Sequence, residues 1–220
     1  MTYQWRFNEV PIPGANGTSY TRTNVQAADA GSYSVLITNA AGAAVSDDAV
    51  LTVNTPPTLA PLPDRIAHAG QLIAFSVAAN DLDANQTLSF SLEPGAPPTA
   101  TIHPTTGLFA WLTTLGDANT TNLITVRVTD DGTPSLSTTV SFTATVVPPP
   151  ALDSVSVSNG VITITWSAIP GRTYRVEFKA DLAAPGWTAL SPEVTAGGPT
   201  ASFSEPIAET QRFYRVVALD

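Results

Sequence analysis

Cysteine is absent from this 220-residue chain, and lysine occurs once, at Lys179. Without thiols there is no disulfide framework, no zinc–thiolate site and no cysteine nucleophile. The two histidines, His68 and His103, exclude any site built on three imidazoles. Positive charge is scarce. Nine Lys plus Arg face eighteen Asp plus Glu, a formal charge of −9, so phosphate binding has no electrostatic basis and nucleic acid is excluded as a partner. No apolar run reaches the roughly 18 residues of a membrane span. The N-terminus has no basic-plus-apolar export pattern. Membrane insertion is therefore not expected, and an export signal would lie outside this chain.

What the chain does contain is apolar and turn-rich. Apolar residues make up 43% and charged residues 12%, a balance that supports packed cores and excludes wholesale disorder. Nineteen Pro, fourteen Gly and abundant Thr, Ser and Val point to short strands joined by turns. The hydrophobic period is two. Ile124, Val126 and Val128 alternate with Thr125, Arg127 and Thr129, and Phe142, Ala144 and Val146 alternate with polar neighbours. Tyr174, Val176 and Phe178 alternate with Arg175, Glu177 and Lys179, which predicts a charged, solvated outer face. Strands with one buried face read this way, and no segment carries a 3.6-residue stripe. The chain is expected to be all-β.

Two proline clusters divide it. Thr55-Pro56-Pro57-Thr58 follows the apolar run 49–53, and Pro148-Pro149-Pro150 follows the run 140–147. Proline removes a ladder donor and fixes φ, so each cluster ends a strand and stiffens a short connector. Three segments result: 1–54, 55–148 and 149–220. The middle one is the most acidic, with seven acids against two Arg.

In segment 1–54, Tyr3-Gln4-Trp5 precedes Val10-Pro11-Ile12, and Asp29-Ala30-Gly31-Ser32-Tyr33-Ser34-Val35 follows. These resemble strand C, with its buried Trp, and the tyrosine corner of an immunoglobulin-like domain. Val35 stands where that family usually has cysteine, and the resemblance implies that Trp5 packs on it. It also implies that the strands before strand C are missing. The inner faces would then form an exposed apolar groove with open edges. A preceding piece of a longer chain, or a strand from another chain, would fill it, and self-association through residues 1–54 is expected.

Segment 55–148 orders an opening proline pair, Ala69-Gly70-Gln71, Asn80-Asp81-Leu82-Asp83-Ala84-Asn85, Ile102-His103-Pro104-Thr105-Thr106-Gly107, and Asp130-Asp131-Gly132-Thr133-Pro134. It resembles the cadherin-like immunoglobulin-fold repeats of bacterial surface proteins. The resemblance implies calcium, with Asp81, Asp83, Asp130 and Asp131 as ligands and Asn54 the one side-chain oxygen offered by the linker. Side chains two apart on extended backbone share a face, and calcium takes six to eight oxygens. The same aspartates also read as turn-formers that bond their own loop backbone. Both readings stand on the sequence. His103 reads as a surface residue and His68 as part of a loop before Gly70. Trp111 is assigned to strand packing, with a ligand platform as the alternative.

In segment 149–220, Val161-Ile162-Thr163-Ile164-Thr165-Trp166, the stretch from Pro170 to Phe178, and Arg212-Phe213-Tyr214-Arg215-Val216 resemble the B, C and F strands of a fibronectin type III-like domain. Trp187 is either strand packing or an exposed sugar platform. The fold expected is thus three tandem Greek-key β-sandwiches: immunoglobulin-like, cadherin-like and fibronectin III-like, the first without its N-terminal strands.

The resemblances imply a non-catalytic spacer or adhesion module of an extracellular or cell-surface protein, binding protein or polysaccharide. Two other classes remain open. One is a calcium-dependent hydrolase of an ester or lactone, using the aspartates with His103 as a remote base. The other is a carbohydrate-binding module using Trp187 or Trp111. No nucleophile elbow or zincin helix is present, and no catalytic residue is assigned.

Overall fold

The computed structural model describes residues 1–207 and 211–219. Strands carry almost all of the regular structure. The helical pieces among the described residues are single 3-10 turns at Ala27–Asp29 and Leu115–Asp117. No helix among them is long and apolar enough to cross a membrane. By its internal contacts the chain divides into two units. One comprises Met1–Thr58, Ala79–Leu88 and Thr129–Thr138; the other comprises Leu59–Ala78, Ser89–Val128 and Thr139–Asp220.

In the first unit, residues 2–51 form one antiparallel sheet, in the order Val10–Pro11, Thr2–Phe7, Gly31–Asn39, Gly42–Val45, with Ala49–Leu51 also paired to Gly31–Asn39. Its register sets Tyr3 opposite Ile37, Trp5 opposite Val35 and Phe7 opposite Tyr33. Directly opposed residues share a face, so three apolar pairs line one side of the sheet. The Tyr33 hydroxyl donates to the Asp29 carbonyl oxygen at 2.9 Å, which is the tyrosine corner expected from the sequence. Nevertheless, no aliphatic or aromatic side chain of residues 1–54 is fully buried.

The second unit contains two cored parts. In residues 65–147, one sheet runs Ser89–Leu92, Thr120–Thr129, Ser137–Val147, Arg65–His68, the last pair parallel. A second sheet joins Thr101–Ile102, Leu108–Leu112 and Leu72–Ser76. The period-two pattern is realised as written: Ile124, Val126, Val128, Phe142, Ala144 and Val146 are buried, and Thr125, Arg127 and Thr129 are not. Phe142, from the first sheet, meets Phe75 and Phe109, from the second, edge-on at 5.1 and 5.3 Å between ring centroids. That geometry suits the aromatic quadrupole and ties the two sheets together.

In residues 152–218, Leu152–Ser158, Val161–Ser167 and Thr200–Pro206 form one sheet. Thr173–Lys179 pairs with Thr188–Ala189, Val194–Thr195 and Phe213–Ala218 in another. Ile164, Trp166, Tyr174, Val176 and Phe203 form the core. One expectation fails here. Glu177 belongs to no solvated face: it is 6% exposed, and its two carboxylate oxygens receive Arg175 Nε at 3.0 Å and Arg215 Nη2 at 2.6 Å. Burial pushes this carboxyl up, but the bonds from Arg215 and Arg175 outweigh it and hold it below the ordinary carboxylate range.

Candidate functional site

The acidic loops and the linker meet within the first unit. Asp81 lies just past the strand Ala79–Asn80. Its Oδ1 accepts the Asp83 N–H at 2.9 Å, an Asx turn that removes the two-residue alternation needed to point both carboxylates one way. Asp83 Oδ2 instead accepts the Thr55 N–H at 2.6 Å and the Thr55 hydroxyl at 2.8 Å, pinning the linker. Asp130 is 4% exposed; its Oδ1 accepts the N–H groups of Leu136 at 2.8 Å and Gly132 at 3.0 Å. Burial works to raise this carboxyl, yet those bonds and the Asn54 amide bring it below the ordinary range. Asp131 Oδ1 accepts the Thr87 N–H at 2.8 Å.

Asn54 is the hub. Its Nδ2 donates to Asp130 Oδ2 at 3.1 Å and to the Pro134 carbonyl at 2.8 Å, while its Oδ1 accepts from Gln86 Nε2. Gly132 packs against this amide so closely that a Cβ there would overlap it. Thr55, Gln86 and Gly132 were not singled out as site residues from the sequence; each acts through a neighbour 28 to 78 positions away, which no local pattern encodes.

Calcium is a poor match to this arrangement. Among the described residues no three acidic or histidine side chains group closely enough to hold a metal ion. The Asn54 amide presents N–H to Asp130, where an ion would require oxygen.

The aromatic candidates separate. Trp111 is 1% exposed and donates Nε1–H to Thr99 Oγ1 at 3.1 Å, so it has no free face for a sugar. Trp187 is half-buried with Arg215 at 4.5 Å and Lys179 at 5.2 Å from its ring centroid. Cations occupy the π surface that a sugar platform would offer. His103 is exposed, and its Nδ1 accepts the N–H groups of Thr105 and Thr106 at 3.2 Å within its own turn. His68 departs from expectation: it ends the strand Arg65–His68 and is 3% exposed.

The first unit also carries the apolar sheet face of Tyr3, Trp5, Phe7, Tyr33, Val35 and Ile37. The irregular segment after Pro11 covers part of it. Tyr20 lies 6.0 Å from Trp5 and 6.1 Å from Tyr33, ring to ring, and Trp5 Nε1 donates to the Gly17 carbonyl at 3.1 Å. Arg22 Nη2 bonds Asp29 Oδ1 at 2.6 Å. The Gln26 N–H and Arg22 hold the Asp29 carboxyl low, so this ion pair stays formed and neutral overall. Two concavities remain on either side of Tyr20. One of about 300 Å³ is lined by Phe7, Val10 and Ile12, and one of about 270 Å³ by Trp5, Val25 and Leu51. Aperiodic sequence concealed this partial lid.

Residues 56–147 match the family model described as Putative Ig domain. No curated protein sequence matches the chain. Among solved structures, an I-band fragment of titin is similar over 99% of this chain and 82% of its own, at 14% identity and a TM-score of 0.46. Sidekick-1 immunoglobulin domains 1–4 are similar over 94% of this chain and 58% of their own, at 14% identity and a TM-score of 0.35. Repeats of mouse cadherin-23 are similar over 66% of this chain and 53% of theirs, at 16% identity and a TM-score of 0.37.

Proposed function

We propose that the chain is a non-catalytic spacer and interaction module of an extracellular or cell-surface protein. Its parts are an immunoglobulin-like segment 1–54, a cadherin-like segment 55–148 and a fibronectin type III-like segment 149–220. The carrying observation is the sheet face of residues 2–51: three opposed apolar pairs with no fully buried aliphatic or aromatic side chain around them. Sheets bury such faces against a second sheet about 10 Å away. The occupant is a protein surface, and a second copy of this chain supplies one of matching apolar character. The acidic loops serve as hydrogen-bonded clamps, because each carboxylate is engaged by N–H donors of the linker or of its own loops. Those same bonds argue against the aspartates as hydrolytic machinery.

The test is sedimentation velocity over a concentration series. The wild-type chain is expected to associate as concentration rises. Val35→Lys, which puts a charge at the centre of the apolar face, should give monomer. Val50→Lys should not, since Val50 pairs with Ser32 on the opposite face and is 71% exposed. A wild-type chain that stays monomeric at high concentration would overturn the reading.

A further inference from the structure

His68 belongs to none of the arrangements above, yet all its polar atoms are engaged. Its Nδ1 lies 2.6 Å from the Pro148 carbonyl oxygen and its Nε2 lies 2.8 Å from the Tyr174 hydroxyl. A carbonyl only accepts, so the Nδ1 carries the hydrogen and Nε2 accepts from Tyr174. The Tyr174 oxygen accepts the Ile169 N–H at 2.6 Å. A directed chain results, from Ile169 N–H through the Tyr174 O–H to His68 Nε2, and from His68 Nδ1–H to Pro148. The two rings meet edge-on at 5.7 Å. Every partner of the imidazole comes from residues 148–174, beyond the start of the proline connector.

We propose that His68 is a proton-operated latch joining the strand Arg65–His68 to Tyr174 on the strand Thr173–Lys179, closed while the imidazole is neutral and released when it is protonated. Protonation places a second donor on Nε2, facing the Tyr174 O–H. The hydroxyl must then turn its hydrogen away, and it already receives Ile169. Among the described residues the His68 Nε2 is the acceptor recorded for that hydroxyl, and an unpaired buried donor is costly. The charged groups around the ring are few. Arg172, just before the strand of Tyr174, donates Nη2 to the Ile66 carbonyl at 3.2 Å, and Asp153 lines the same concavity as His68. Arg65 lies on the histidine's own strand. Burial lowers the imidazole's proton affinity most, the Pro148 carbonyl opposes this, and Arg172 lowers it further; the net direction is down from the ordinary 6.5. A histidine depressed on folding stabilises above the unfolded value, and that stability is lost as pH falls through the folded one. The latch is thus closed at neutral pH and opens on acidification below about 6.5. The chain's carboxylates with shifted protonation, such as Asp130 and Glu177, lie low and do not titrate in this window.

Nitrogen-15 imidazole spectra across pH test it directly, with two resolvable rings. His103, accepting at Nδ1, is expected as the Nε2–H tautomer and His68 as the Nδ1–H tautomer. His68 should titrate below about 6.5. Exchange protection of the Ile169 amide, corrected for intrinsic rate, should fall with the same midpoint. Tyr174→Phe should raise that midpoint and remove Ile169 protection at every pH. His68→Gln, which keeps one donor and one acceptor, should make Ile169 protection independent of pH over this range. An Nε2–H tautomer at His68 would overturn the proposal, as would Ile169 protection that ignores its titration. Both are read on the wild-type chain, so neither depends on a variant folding.

Discussion

Gly132→Ala is expected to break the clamp between Asn54 and Asp130 while leaving both residues in place. The glycine's backbone is outside the left-handed region, so alanine's own conformation costs little; the damage comes from its Cβ, which overlaps the Asn54 amide. Displacing that amide loses its donations to Asp130 and Pro134 and its acceptance from Gln86. At roughly 0.5–1.5 kcal/mol net for each of the three bonds, the loss is about 1.5–4.5 kcal/mol. For a chain of this size that lowers Tm by about 2–4 °C per kcal/mol. Asn54→Ala removes the same three bonds and should cost a similar amount. The double variant decides the cause: with Asn54 shortened, the new Cβ enters vacated space, so the pair should cost no more than Asn54→Ala alone. Calorimetry on the wild type, both single variants and the double variant gives the coupling energy. A Gly132→Ala chain melting with the wild type, or a double variant whose cost is the sum of the singles, would refute the clamp.

Two further outcomes can be checked on the same instruments. Millimolar calcium, with magnesium as control, should leave Tm unchanged, because the loop carboxylates face N–H groups; a calcium-specific rise abolished by Asp83→Ala would reinstate an ion site. Gly107→Ala should destabilise by at least about 1–2 kcal/mol, since φ is +65° and a Cβ would lie 2.7 Å from the Val77 carbonyl oxygen; an unchanged Tm would show that the turn relaxes.

Legibility followed distance along the chain. The alternation over 124–129 and 140–147 reads directly as buried and exposed faces, because side-chain direction on a strand is fixed by period alone. The tyrosine corner was equally readable, since Tyr33 and Asp29 are four residues apart. The acidic loop stayed open on the sequence between ion ligands and turn-formers, since Asp81 and Asp83 suit either role; the tertiary structure shows Asp81 accepting the Asp83 N–H. Glu177 alternates like a surface residue, but Arg215, from a strand 38 positions later, encloses it.

Composition and local pattern by themselves determined the all-β class, the proline-ended strands, the acidic net charge and the absence of thiol chemistry. These follow from backbone propensity and charge, which need no partner. Tertiary structure alone decided which polar groups meet: Asn54 with Asp130 across 76 positions, and His68 with Tyr174 across 106. It also decided that Trp111 is core and that Trp187 lies against cations. Contacts of that kind form only when strands distant in sequence are brought into register by burying their apolar faces, and nothing in a short window of residues specifies which polar atoms then lie opposite one another.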